Sequence, residues 1–289
     1  MIRNSSRIVL HAFLAHCKAN ERLALCQYLS PIERQVLDKL PKTYGNPLAD
    51  NETDASVLRH IHPSWIAPFL RTLPEKEIGF FLGSLDHSRG HAVAKELLYK
   101  SPLPSLTASG KAFLQKTLLG YLTAEIDDLL PRNCLPDSPL NVLLELSDEA
   151  LAFSLDFLGL HDLSSEVRQI IEKQKLQAIY DALSPSQLSY LKILAQSQEP
   201  VTFTRMGLSN WNGDQDKLRS LIRQRGGNRF AKALHGQDTS FIWYILHKLD
   251  VERALIVKKL LSPLDNSRAV QILINQIIEF INYSRKQHE

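Results

Sequence analysis

Cysteine is scarce. The 289-residue chain holds Cys17, Cys26 and Cys134 only, an odd number without metal-type spacing, which argues against a disulfide framework. Long hydrophobic runs are absent too: no apolar stretch approaches the roughly 18 residues that cross a bilayer. The stretch 1–23 carries a short apolar run broken by His11 and His16 and lacks a small-residue cleavage site, so no secretory leader is expected. Charge of one sign is also missing. Thirty-four Lys plus Arg face 31 Asp plus Glu, and the resulting +3 is too small to argue for nucleic acid. Strand signals are few: Val201–Thr204 has β-type composition over four residues, and no Asn-Gly or Asp-Gly pair sits between two alternating runs.

The chemistry-bearing patterns are incomplete as well. Ser109-Gly110-Lys111 lacks the upstream glycine of a phosphate-binding loop. Gly207-Leu208-Ser209-Asn210-Trp211 lacks the last glycine of a nucleophile elbow. The pair Asp127-Asp128 reads as a solvated helix end. His87 and His91 stand four apart, as two ligands on one helix face would, but Gly90 weakens the helix between them and no Glu follows His87. His60 and His62 flank Ile61 just before Pro63 and read as a turn. The expectation is a non-enzymatic protein of a reducing, soluble compartment, with no cofactor, no bound metal and no small-molecule substrate.

What is present is helical periodicity. Between Thr107 and Leu130, Leu114, Leu118, Tyr121, Leu122, Ile126 and Leu129 form one stripe that Pro131 ends. From Ser267 to Tyr283, Val270, Leu273, Ile274, Ile277, Ile278 and Ile281 form another, with Ser267 or Asn266 as its cap. Helix starts recur at 29–40, 73–85, 146–158 and 183–194. Ser30, Ser147 and Ser184 suit the cap position there, and Pro31 and Pro185 the first helical position. Their spacing is uneven, so they fit either a divergent helical repeat or an ordinary helical protein reusing good starts. The fold class expected is all-α and multi-helical, in two parts. Three prolines between Pro131 and Pro139 mark the seam, giving an N-terminal helical part over 1–132 and a C-terminal one over 133–289.

Charge is uneven along the chain. Residues 201–289 hold 14 basic and 8 acidic residues, and the first 200 hold 20 and 23. The run 217–232 carries Lys217, Arg219, Arg223, Arg225, Arg229 and Lys232 with no acid among them. Leu218, Leu221 and Ile222 supply a buried face, and Gly226-Gly227 is expected to end one helix before another begins. This basic helix-turn-helix corner is the candidate partner-binding site. It would grip an acidic protein surface or, in an alternative reading, nucleic acid. The second reading is weaker because no aromatic residue interleaves the run before Phe230. The dense apolar segment 235–250 reads as a core helix, and Trp65 as core of the N-terminal part if it is buried.

The stretch 61–85, beginning Ile61-His62-Pro63-Ser64-Trp65, resembles the SctK (YscK/PscK-type) family, the cytoplasmic adaptor of the type III secretion sorting platform. The segment 226–250, ending His247-Lys248-Leu249-Asp250, is similar to chlamydial-type members. The repeated Leu-Pro and Leu-Ser helix starts resemble, loosely, the helical modules of the flagellar switch protein FliG. The specific part covers about fifty residues, with His62, Pro63, Ser64 and Trp65 as its motif. The resemblance implies a scaffold beneath the inner-membrane ring of an injectisome, in the cytoplasm and peripheral to the membrane through its partners. Those partners would be a ring protein, the pod protein and the ATPase-linked stalk. Beside it stands a generic helical interaction module with no secretion role.

Overall fold

The structure, a computed structural model, describes every residue except 1–3, 44, 48–51, 127, 197, 198, 202, 209, 210, 265 and 289. Asp127, Thr202, Ser209 and Asn210, each part of a pattern named above, therefore lie outside the described residues. The protein is all-α. Among the described residues no strand forms, and the one isolated bridge joins Thr43 to Pro136. No described helix is long and apolar enough to cross a membrane.

The helices fall into two compact units, Met1–Asn141 with Asp238–Val251, and Val142–Gln237 with Glu252–Glu289. The first contains α1 (Asn4–His16), α2 (Ala19–Cys26), α3 (Pro31–Leu37), α4 (Asp54–Arg59), α5 (Pro63–Leu70), α6 (Glu75–Ser84), α7 (His87–Leu97) and α8 (Ala108–Leu122). The second contains α9 (Asp148–Val167), α10 (Lys173–Asp181), α11 (Pro185–Leu194) and α12 (Gln215–Ala233). The chain then returns to the first unit with α13 (Thr239–Lys248), and α14 (Val251–Leu260) and α15 (Ser267–His288) follow. A cut at 132/133 would thus assign 238–251 to the wrong neighbours. The physical reason is a set of contacts far apart in sequence. Tyr244 donates its hydroxyl to the Leu130 carbonyl at 2.9 Å, and Ser240 accepts from the Leu130 N–H at 3.1 Å.

Local chemistry sets the helix starts. Ser30, Ser147 and Ser184 accept from the N–H three residues on, and Pro31 and Pro185 occupy the first turn. Asn266, not Ser267, caps α15, through its bond from the Ala269 N–H at 3.1 Å. The helix beginning at Ala108 stops at Leu122, well short of Pro131. Thr123 turns its hydroxyl back to the Leu119 carbonyl and leaves the helical conformation. Tyr121, placed by its spacing on the inward stripe, is 52% exposed.

Gly226-Gly227 does not end a helix, and there is no helix-turn-helix corner. α12 runs unbroken from Gln215 to Ala233. The glycines serve a close approach. A Cβ at Gly226 would sit 1.8 Å from the Leu155 carbonyl oxygen, and one at Gly159 would sit 2.0 Å from that of Ile222. α9 and α12 therefore cross backbone to backbone at Gly159 and Gly226, a separation only glycine permits. Around that crossing lie Phe157, Leu160, Leu163, Ile179, Tyr190, Leu218, Ile222 and Phe280, the core of the second unit.

Candidate functional site

In the first unit the motif residues form a clasp. Pro63 opens α5, and His62 is its cap. The His62 Nδ1 accepts from the Ser64 N–H at 3.2 Å and faces the Ser64 hydroxyl at 2.8 Å. That fixes the loop so that its outward donors reach the end of α13. The last carbonyls of a helix have no partner within it. Here the His62 N–H donates to the His247 carbonyl at 2.7 Å, and the Trp65 indole N–H to the Leu249 carbonyl at 2.9 Å. The Ser64 hydroxyl accepts from the Val251 N–H at 3.0 Å. The His247 ring lies between Trp65 and Trp243, with ring centroids 4.3 Å and 4.0 Å away. Trp65 is half-buried, not core; its indole must reach across to α13. His60, at the end of α4, has its pKa pulled down to about 4 by burial and by Arg132, Lys248, Arg89 and Arg59 around it.

In the second unit Arg229 is 1% exposed and cannot be a surface contact. Its guanidinium has five N–H bonds, and five contacts use them. Nε and Nη2 donate to Asp162 Oδ1 at 3.1 and 2.6 Å, and Nη2 also to the Val201 carbonyl at 2.8 Å. Nη1 donates to Glu199 Oε1 at 3.1 Å and to Gln276 Oε1 at 2.9 Å. Glu199 further accepts from Gln276 at 2.6 Å and from the His161 Nδ1–H at 2.7 Å. The Tyr190 hydroxyl faces the other ring nitrogen of His161 at 3.3 Å. Burial alone would raise the Glu199 pKa. The bond from His161 and the charge of Arg229 overcome it and hold the carboxyl down near 2. Burial pushes the Tyr190 hydroxyl up.

The remaining basic residues of α12 are mostly spent inside their own unit. Arg225 donates to the Arg205 carbonyl at 2.7 Å and to the Thr204 hydroxyl at 3.3 Å. Arg223 and Arg253 approach the two oxygens of Asp156 at 3.5 and 3.6 Å. Burial raises the Asp156 pKa even against those two charges. Lys232 bonds Ser262 through its hydroxyl and carbonyl. Arg219 meets Asp216 and the Ala182 carbonyl, both at 3.4 Å. Lys217 is exposed. The run of like charge therefore acts largely as a set of ties from one helix to loops and helix ends around it. Sequence reasoning missed Asp162, Glu199 and Gln276, which lie on α9, a loop and α15 and share no local pattern with Arg229.

His87 and His91 lie on one face of α7 with ring centroids 4.4 Å apart. Among the described residues no group of three or more His, Cys, Asp or Glu is placed to hold a metal ion. A shallow groove of about 470 Å³ lies between α1 and the stretch 128–131. It is lined by Val9, Leu10, Phe13, Leu129 and Pro131, with Asp128, bonded to Ser5, at its rim. No family model, no curated protein and no solved structure matches the chain.

Proposed function

We propose that this chain is a non-enzymatic adaptor of a type III secretion sorting platform, linking an inner-membrane ring to the pod and ATPase complex. One observation carries the reading. The two segments that resemble the SctK family, 61–85 and 226–250, are far apart in sequence. Their motif ends, His62–Trp65 and His247–Asp250, nevertheless bind each other through the Trp65–Leu249 and His62–His247 bonds, 184 and 185 residues apart in sequence. A resemblance split over two unrelated stretches would be weak; here the motif ends of both stretches meet in a single clasp of the first unit. The commitment of the buried ionisable cluster around Arg229 to internal bonds supports a scaffold in preference to a catalyst. The ties made by Arg223, Arg225 and Lys232 weigh against the nucleic-acid alternative.

The test is a tagged pull-down of the full chain from its native cells, at moderate and high salt, read by mass spectrometry. Recovery of ring, pod and stalk proteins at both salts is the expected result. Recovery of polynucleotide or ribosomal proteins that vanish at high salt, as displaced counterions require, would overturn the reading.

A further inference from the structure

α8 is apolar on two faces, and its own unit covers one. Leu118 and Leu122 are buried. On the outward face Phe113 is 70% exposed and Tyr121 52% exposed, although the Tyr121 ring leans on Phe69 with centroids 4.6 Å apart.

Gly120 makes the same point independently. Glycine weakens a helix interior, so a helical glycine needs a reason. At Gly79, Gly83, Gly90, Gly159 and Gly226 the reason is visible: a Cβ would come within 3.0 Å of a neighbouring group. At Gly120 a Cβ would meet nothing within 4 Å. Nothing in this chain's packing calls for glycine there. Gly120 follows Phe113 by seven residues, about two turns, so both lie on one line along the helix. Lys116 flanks that line and is exposed. α8 itself, Ala108–Leu122, holds no acidic residue to neutralise Lys116.

We propose that this face of α8 docks one α-helix of a partner protein, apolar on the side it presents and acidic along its flank. Phe113 and Tyr121 seat between the partner's large apolar side chains. The partner's backbone crosses at Gly120, as α9 and α12 cross at Gly159 and Gly226. A partner carboxylate pairs with Lys116. The inference deepens the adaptor reading by giving the local form of a partner, and rests on it only in that a partner exists.

The experiment places a photo-cross-linking amino acid at Thr117, on the docking face, or at Lys111, on the far side of the same helix, in the full chain in its native cells. The expected product forms from position 117 and at least tenfold less from 111. Peptide sequencing then shows a helix-patterned segment with acidic flanks. The variant Gly120→Leu, whose Cβ would meet nothing of the chain within 4 Å, melts no lower than the parent chain and loses the product at least tenfold. Four results would overturn the proposal: no product from 117, equal product from both positions, a second copy of this chain or a basic segment as the captured species, or full yield from Gly120→Leu. An acidic helix from a protein outside any secretion apparatus would keep the docking face and overturn the adaptor reading. Undiminished pull-down of secretion proteins by Gly120→Leu would do the reverse.

Discussion

Trp65 and Arg229 show how far a residue's role depends on its partner. The Trp65 indole N–H bonds the Leu249 carbonyl while its ring lies half-buried against His247. Trp65→Phe, which keeps a ring and loses one hydrogen bond, should cost about 1 kcal/mol. Trp65→Ala should cost about 2–3 kcal/mol, below the cost for a fully buried tryptophan. Urea denaturation checks both: an unchanged Trp65→Phe would mean the bond contributes nothing, and equal losses that the ring contributes nothing beyond it. Arg229→Met should cost about 3–5 kcal/mol, because it leaves Asp162 and Glu199 buried without their cation. Adding Asp162→Asn and Glu199→Gln to it should recover part of that loss; if it does not, the cost is packing and not charge. Acid should act in two stages. Between about pH 6.5 and 4 the unfolded His60 binds a proton that the folded one refuses, so stability falls as pH falls through that window. Glu199, held near 2 against an ordinary 4.5, contributes stability above pH 4.5 that is lost as pH falls through 2. His60→Asn should flatten the upper stage and Glu199→Gln the lower one in a pH series of melting curves. Unchanged profiles would contradict these assignments.

At the scale of helices, the α9–α12 crossing gives a sharp contrast between adjacent glycines. Gly226→Ala forces two backbones apart and should cost about 2–3 kcal/mol even after the gain in helix propensity. Gly227→Ala meets only the Ile256 side chain, at 3.2 Å, and should change stability by about 1 kcal/mol or less. Equal effects in denaturant titrations would remove the close crossing from the account. The crossing also marks the limit of what could be read beforehand. Ser30, Ser147, Ser184, Pro31 and Pro185 announce their helices because capping is a contact among near neighbours. Gly226-Gly227 is ambiguous, since a helix end and a helix crossing both select glycine, and only α9 decides between them. The same holds for Arg229. Six basic residues in a row of sixteen look like a surface until Asp162, Glu199 and Gln276 arrive from elsewhere. The motif His62–Trp65 was visible as residues, but its ligand, the end of α13, was not.

For the whole molecule, the decisive feature is that α13 belongs with residues 1–141 although it is encoded nearly a hundred residues later. The fragment 1–141 lacks the helix that Leu130, His62 and Trp65 hold. It should bind a hydrophobic dye and melt without a cooperative transition. A synthetic 238–251 peptide in excess should reduce the dye signal and sharpen the melt. A fragment 1–141 that melts cooperatively without dye uptake would show that α13 is an accessory and not part of that core.

A ribosome makes this chain from one end. At about 5–20 residues per second, the stretch from Val142 to Val251 takes roughly 5–20 s to appear after Asn141. For that interval the first-made helices wait with an open seat. Birth order and folding order are thereby separated, and a nascent chain stalled before residue 251 is a natural client for a chaperone.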